Sequence, residues 1–288
     1  MYTFPLVILK NQNTMPAHAP KLTLNDGRQM PQVGLGVWQS KDGDEIKAVE
    51  WALQEGYRHI DTAAIYKNEE GVGEGLKNAG LSREDVFITT KLWNTDIRER
   101  NARQALETSL KKLQLDYVDL YLLHWHVDGG QEAWKELEKF QQEGLVKSIG
   151  VSNYMPEHLE PLIAYSDVVP AVNQIEFHPY NQQKDVLEFC AKHNITITAW
   201  SPLMQGNFKD EPILADIAKN HGKTAAQVLL RWDLQRGVIT IPKSVNHSRI
   251  KQNFGLFDFE LSTAEIQLID GLAKPEGRFG PDPRNFDF

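Results

Sequence analysis

The stretch Gly130–Asn153, GQEAWKELEKFQQEGLVKSIGVSN, contains one complete structural unit. Apolar residues recur at helical spacing through its first half, and Gly144 can adopt the left-handed conformation that ends a helix. The β-branched run Val146–Val151 follows, and it ends on the polar residues Ser152 and Asn153. The stretch therefore predicts a helix, a tight turn and a strand with polar side chains at its carboxyl end.

The same unit repeats on both sides of this stretch. The predicted strands are Val33–Val37, Tyr57–Ile60, Val86–Thr90, Val118–Leu123, Val146–Val151, Ala171–Ile175, Ile195–Ala199 and Val238–Ile241. The predicted helices include Asp44–Glu55, Arg98–Lys112, Gly130–Glu143, Gln182–His193 and Thr224–Arg236. Strands that alternate with helices are typical of a parallel sheet, and eight of them in 288 residues predict an α/β fold, the (β/α)8 TIM barrel.

The two ends of the chain depart from this repeat. Lys21–Leu24 and Met30 flank the turn sequence Asn25–Gly27, which predicts a hairpin that plugs the barrel floor. Residues 1–20 are interpreted as a loose extension, with a secretory signal as the minor alternative, and residues 21–288 as one domain. The segment Pro275–Phe288, here called the tail, is rich in Gly, Pro and Asp and is predicted to be irregular surface structure.

Composition excludes several classes of protein. Hydrophobic residues make up 41% and charged residues 24%, as in ordinary globular proteins. The net charge of −8 without a basic block argues against nucleic acid, and no apolar run approaches the roughly 18 residues of a membrane span. The single cysteine, Cys190, lies in an apolar periodic segment and is predicted to be a core thiol, which suits a cytoplasmic protein.

The residues that end the predicted strands are the main functional signal. Catalytic residues of such barrels lie at the carboxyl ends of the strands. The residues found there are Trp38, Asp61, Lys91, His124, Ser152, Asn153, Gln174, Glu176, Trp200, Ser201, Lys243 and Ser244. Packing explains any one of them, but polar or aromatic residues after eight strands in succession indicate an active site.

Four of these side chains form a proton-donor hypothesis. Asp61, Lys91 and His124 end neighbouring strands, and Tyr66 follows in the loop after the second strand. Lowering the pKa of a tyrosine from about 10 to about 7 takes roughly 4 kcal/mol, which a desolvated Lys91 can supply. Asp61 would hold Lys91 charged, and a neutral His124 would polarise a substrate carbonyl. The set has the groups of a carbonyl reductase apart from the hydride donor.

The signal for a cofactor is weaker. Gly34-Leu35-Gly36 lacks the third glycine of a dinucleotide fingerprint, and Gly71–Gly75 has the wrong spacing, so no Rossmann domain is expected. Residues 241–257 contain Lys243, Arg249 and Lys251 but no carboxylate, which suits a phosphate. A surface helix with scattered basic residues explains the same pattern.

At this point the chain resembles the aldo-keto reductases, over a range from about Lys21 to Phe288. The segments that carry the resemblance are Gly56–Ala63 with Tyr66, Thr90–Asn94, Leu123–Trp125, Gly150–Asn153, Val172–Glu176, Trp200–Leu203 and Ile241–Ser244. They are most similar to the microbial and protozoan diketogluconate reductases and prostaglandin F synthases. The resemblance implies NADPH-dependent reduction of aldehydes and ketones, with Asp61, Tyr66, Lys91 and His124 as the catalytic tetrad and Tyr66 as general acid.

The resemblance also implies a set of binding residues. Trp200 would stack on the nicotinamide, Ser152, Asn153 and Gln174 would hold its carboxamide, and Ser201 and Leu203 would line the pyrophosphate path. Lys243, Ser244 and Arg249 would grip the 2′-phosphate, which implies NADPH over NADH, and Asn253 would contact adenine. Further cofactor contacts are Gly36, Val37, Trp38, Asp61 and Val245. The substrate pocket would comprise Trp38, Trp93, His124 and Trp125.

Two other functions stay open from the residues. A metal-dependent hydrolase would use His124 and His126 with Asp61 or Glu176, although it would leave Tyr66 and Lys91 unexplained. A non-catalytic NADPH-binding protein would keep the barrel without turnover. The family usually has proline where this chain has His126, so the substrate, whether sugar, dicarbonyl or lipid carbonyl, stays undecided. A small-molecule carbonyl compound is the expected partner, and a monomer is the expected state.

Overall fold

The computed structural model describes residues 18–286. The predicted loose extension lies outside the described residues up to position 17. Ala19 is buried, and the Pro20 carbonyl accepts a hydrogen bond from the Gln32 amide at 2.8 Å. The chain is therefore packed against the barrel from Ala19 onward.

Eight parallel strands form the barrel, and a two-stranded antiparallel hairpin precedes them. The strands are β1 Lys21–Thr23, β2 Gln29–Pro31, β3 Leu35–Gly36, β4 His59–Asp61, β5 Phe87–Leu92, β6 Val118–Leu123, β7 Val146–Ser152, β8 Val172–Glu176, β9 Thr196–Trp200 and β10 Ile239–Thr240. Strands β3 to β10 pair in chain order. The predicted barrel and hairpin are confirmed.

The barrel closes between its first and last strands through two isolated bridges. Val33 pairs with Thr240, and Gly36 pairs with Lys243. A Cβ atom on Gly36 would lie 2.8 Å from the Ile241 carbonyl oxygen, so the closure needs a glycine there. Because this pairing is discontinuous, β3 and β10 are shorter than predicted.

Several of the other strands continue beyond their predicted ends. Asp61, Lys91, Ser152, Glu176 and Trp200 lie within the last residues of their strands, whereas the sequence patterns place them just after the strands. Their backbones are therefore held by the sheet, which fixes their side chains more firmly than a loop would.

Within residues 18–286, eleven α-helices surround the strands. They are α1 Asp44–Gln54, α2 Glu69–Ala79, α3 Asn94–Arg98, α4 Ala102–Leu113, α5 Gly130–Gln142, α6 Pro156–Tyr165, α7 Lys184–Lys192, α8 Pro212–His221, α9 Ala225–Gln235, α10 His247–Phe254 and α11 Thr263–Asp270. The helix predicted at Arg98–Lys112 is confirmed as α4, but its predicted start is wrong because Arg98 belongs to α3. Arg100, with φ 60°, lies outside the right-handed helical region and separates α3 from α4.

The glycines of Gly71–Gly75 have a packing role within α2. A Cβ atom on Gly73 would lie 2.6 Å from the Leu113 carbonyl oxygen at the end of α4. A Cβ atom on Gly75 would lie 2.8 Å from the Cβ atom of Val49 in α1. The glycines thus bring α2 against both neighbouring helices.

An apolar cluster forms the barrel floor and extends up the interior to Leu122, which pairs with Lys91 in the sheet. Its members are Leu24, Met30, Phe87, Leu120, Leu122, Ala171, Val172 and Ile239, with Leu22 packed against them. The hairpin turn is tied to the barrel as well, because Ser148 Oγ donates to Asp26 Oδ2 at 2.6 Å. The hairpin plugs the floor as predicted.

Two further predictions concern Cys190 and the tail. Cys190 is buried and free, as predicted, and burial raises the pKa of its thiol to about 12. No helix or strand follows Asp270 within the described residues, so the tail is irregular. Nevertheless Gly277 and Pro283 are buried, which shows that the tail is docked on the barrel. Across residues 18–286, none of the helices has the length and apolarity to cross a membrane.

Candidate active site

A buried ion pair lies at the centre of the site. Lys91 Nζ, at the end of β5, is 2.6 Å from Asp61 Oδ1, at the end of β4, and both side chains are almost fully enclosed. The same ammonium donates to the Thr62 carbonyl at 2.7 Å. Burial lowers the pKa of Lys91, but the charge of Asp61 and the hydrogen bonds to Asp61 and Tyr66 outweigh this and leave it above its usual range. Lys91 is therefore a fixed positive charge.

Tyr66 reaches this pair from the short 3₁₀ turn Ala64–Tyr66. Its hydroxyl hydrogen bonds with Lys91, whose Nζ is 5.0 Å from the centre of the phenol ring. The expectation of a lowered pKa is wrong: burial raises the pKa of Tyr66, and Lys91 offsets only part of this. Tyr66 thus keeps its proton at neutral pH, as a proton donor must.

His124 lies across the site from Lys91. It follows β6, and its ring meets the Tyr66 ring edge-on with centroids 5.8 Å apart. Burial, together with the Lys91 charge, holds the pKa of His124 well below its usual range. The imidazole is therefore neutral, as the sequence predicts. Its Nδ1 is buried and has no hydrogen-bond partner among the described residues.

A polar cluster adjoins the tetrad at the ends of β7, β8 and β9. Asn153 accepts a hydrogen bond from Trp200 Nε1 at 2.8 Å and donates to Ser152 Oγ and to the His124 carbonyl, both at 3.1 Å. Gln174 Nε2 donates to Asp61 Oδ2 at 2.7 Å. Asn153 adopts φ 61°, an uncommon conformation for a residue other than glycine. The structure brings these residues together with the Asp61–Lys91 ion pair.

The basic segment forms helix α10 and the turn before it. Asn246 caps the helix by accepting from the Arg249 amide at 3.1 Å. Lys243 and Arg249 are exposed, and neither has an ion pair within residues 18–286. By contrast Lys251 Nζ lies 3.4 Å from Glu55 Oε2, so the residue directly after α1 supplies a carboxylate that the local sequence lacks.

The remaining predicted cofactor residues lie near these groups. Gly36 and Val37 are buried beside the closure, Ser244 and Asn253 are buried near α10, and Ser201, Leu203 and Val245 are half-buried. Ser201 also has a positive φ of 52°.

The predicted aromatic residues differ in how open they are. Trp38 is 48% exposed, and Trp93 meets His124 edge-on with centroids 5.1 Å apart. Trp125 is buried because Phe286 of the tail stacks on it, with ring centroids 3.8 Å apart. One face of the expected pocket wall is therefore covered by the tail.

The arrangement does not support the hydrolase alternative. The His126 ring stacks on His158, with centroids 4.0 Å apart, and does not turn toward His124. Glu176 is engaged by the tail. Within residues 18–286 no group of three or more His, Cys, Asp or Glu side chains is arranged to hold a metal ion.

Sequence reasoning missed the tail residues that reach the site. Phe279, Gly280 and Phe286 contact Glu176, Trp200 and Trp125. The one available signal is the set of phenylalanines in an otherwise polar, Gly- and Pro-rich segment.

Comparisons with known proteins agree with this geometry. Residues 32–274 match the family model described as the aldo/keto reductase family. The chain is 53% identical over 274 residues to the Bacillus subtilis protein named uncharacterized oxidoreductase YtbE, covering 93% of this chain and 98% of that protein. It is 50% identical over 275 residues to methylglyoxal reductase DkgA of Escherichia coli, covering 94% and 99%.

Among solved structures, the fold is similar to that of the Bombyx mori aldo-keto reductase in complex with NADP. The TM-score is 0.84 and the identity 39%, with 89% of this chain and 93% of that chain covered. The matched region contains the Asp61–Lys91 pair and the polar cluster beside it. The chain therefore belongs to the aldo-keto reductase family of oxidoreductases.

Proposed function

We propose that this protein reduces aldehydes and ketones to alcohols with NADPH, and that Tyr66 donates the proton. The observation that carries the proposal is the enclosed contact of Tyr66 with Lys91, which is itself paired with Asp61 at 2.6 Å. A phenol beside a fixed positive charge can release its proton in the transition state, because the charge stabilises the tyrosinate that is left.

NADPH, when bound, supplies the hydride that the carbonyl carbon accepts. Tyr66 then transfers its hydroxyl proton to the carbonyl oxygen as negative charge develops there. His124, held neutral by burial, donates a hydrogen bond to that oxygen and orients it toward Tyr66. Lys91 and Asp61 stay ionised and hold the Tyr66 hydroxyl in place.

The residues present fit this cofactor. Ser152, Asn153 and Gln174 form a compact polar cluster suited to a carboxamide, next to the indole nitrogen of Trp200. Lys243 and Arg249 are cations without an ion pair in the described part of the chain, so they are available for a phosphate. We infer that they select NADPH over NADH through the 2′-phosphate.

The test follows the absorbance of NADPH during reduction of methylglyoxal, a reactive dicarbonyl suggested by the name of the Escherichia coli relative. The wild-type protein should turn over. Tyr66→Phe should lower kcat at least about 100-fold, the usual contribution of a general acid. Tyr165→Phe, at an exposed tyrosine, is the matched control and should leave kcat unchanged. Unchanged activity in Tyr66→Phe would contradict the proposed mechanism.

We also infer a cytoplasmic, monomeric protein. The single, buried cysteine supports a reducing compartment. Light scattering coupled to gel filtration tests the oligomeric state, and a mass of twice 32.8 kDa would contradict the monomer.

A further inference from the structure

The carboxylate of Glu176 holds the tail in place. This side chain ends β8 and is fully buried. Its Oε1 accepts the Phe279 backbone N–H at 2.6 Å and lies 3.0 Å from His178 Nε2. Its Oε2 accepts the Gly280 N–H at 3.1 Å and lies 3.6 Å from Arg278 Nη1. A buried carboxylate needs such donors, and most of them come from the tail.

The tail lies directly on Trp200 at this point. A Cβ atom on Gly280 would lie 3.1 Å from Cζ3 of the Trp200 indole and still closer to Cη2. On the opposite side of the indole, Nε1 donates to Asn153 Oδ1 at 2.8 Å. The indole is therefore held at its nitrogen by Asn153, directly after β7, and at its far edge by the backbone of the tail.

A second anchor holds the tail independently of Glu176. Arg284 Nε donates to Glu157 at 2.8 Å, and its Nη2 donates to Asp185 at 3.1 Å. Loss of the Glu176 acceptor would therefore shift residues 278–280 without detaching the rest of the tail. A substitution of Arg284 is therefore a suitable control, because it loosens the tail at a point other than its contact with Trp200.

We propose that Glu176 is a positioning residue for the nicotinamide half of the cofactor, acting through the tail. By holding the Phe279 and Gly280 amides, it sets the Gly280 backbone against Trp200 and so fixes the plane of the indole. This inference rests on the proposed function, in which the nicotinamide stacks on Trp200. Glu176 itself touches neither substrate nor cofactor.

The test compares two ligands in two variants. In Glu176→Gln, the new amide NH₂ faces backbone N–H groups that need an acceptor, so residues 278–280 should shift. In Gly280→Ala, the added methyl group pushes directly on the indole. Both variants should bind NADPH about tenfold more weakly, whereas 2′-phospho-ADP-ribose, which lacks the nicotinamide, should bind as in the wild type. Arg284→Gln should bind both ligands within about twofold of the wild type.

The outcomes separate this inference from the proposed function. Unchanged NADPH binding in Glu176→Gln, or equal losses for both ligands, would overturn the positioning role. If Glu176→Gln does not fold, Gly280→Ala decides by the same comparison. A wild-type protein that binds neither ligand would instead contradict the proposed function.

Discussion

The two ends of this barrel bury opposite kinds of side chain. The floor is an apolar cluster around Met30, which the hairpin inserts between the strands. The mouth, at the carboxyl ends of the same strands, buries Asp61, Lys91 and His124. Apolar burial stabilises the fold, whereas a buried ion pair is close to neutral in stability at best. The floor therefore contributes stability, whereas the mouth contains groups kept for chemistry.

The largest effect is expected when one charge of the Asp61–Lys91 pair at the mouth is removed. Lys91→Met leaves Asp61 buried without its partner, which should lower the free energy of unfolding by about 3 to 5 kcal/mol. Turnover should fall below detection. Urea denaturation and NADPH oxidation measure the two effects.

The double variant Asp61→Asn/Lys91→Met tests whether the unpaired Asp61 charge causes this loss of stability. With both charges removed, much of the lost stability should return, while activity stays absent. A Lys91→Met protein with stability within about 1 kcal/mol of the wild type would show that buried Asp61 does not depend on the Lys91 charge.

A cavity in the floor should have the reverse effect. Met30 is fully buried, and Met30→Ala should lower the free energy of unfolding by about 3 kcal/mol. Since the site lies at the other end, kcat at 25 °C should change less than about twofold. The control is Leu268→Ala, at a side chain that is 53% exposed, which should have almost no effect on stability. A large fall in kcat for Met30→Ala would show that the two ends are coupled.

A smaller effect concerns pH and the buried His59 in the lower half of the barrel. Burial, aided by the Lys91 charge, lowers the pKa of His59 to about 3. Below pH 6.5, the ordinary pKa of histidine, His59 therefore binds a proton in the unfolded chain but not in the native protein. The stability contributed by neutral His59 is complete above that pH and is lost as the pH falls toward 3.

Between pH 7.5 and pH 5, the wild type should lose about 2 kcal/mol more stability than His59→Gln. Urea denaturation at the two pH values measures the difference. Equal losses in both proteins would mean that His59 takes up its proton without unfolding.

The smallest effect is expected at the exposed basic residues of the mouth. Arg249→Met should raise the Kd of NADPH about tenfold, in line with the loss of one charged hydrogen bond, and leave that of NADH unchanged. Lys251→Met is the matched control, because Lys251 is already paired with Glu55. Fluorescence titration measures both constants. Equal weakening of the two cofactors by Arg249→Met would remove the argument for a 2′-phosphate site.

The parts of this structure that follow local rules were predictable from the sequence. Periodicity located the eight strands, and the shared edge of parallel strands places Asp61, Lys91 and His124 side by side. The pKa of Tyr66 was not predictable, because its burial depends on chain segments far apart in sequence. The contact of Glu176 with Gly280 spans 104 residues and has no local pattern. The helix break at Arg100 depends on one backbone angle, which the hydrophobic periodicity of the sequence does not indicate.

Cys190 makes the native chain a ready background for site-specific labelling. It is the one cysteine in the sequence, it is buried, and burial keeps its thiol from forming the reactive thiolate. A cysteine introduced at exposed Asn285 would therefore react alone with a maleimide dye or spin label. Together with a second label on the barrel, the label at position 285 would report the distance between tail and barrel during substrate binding and release.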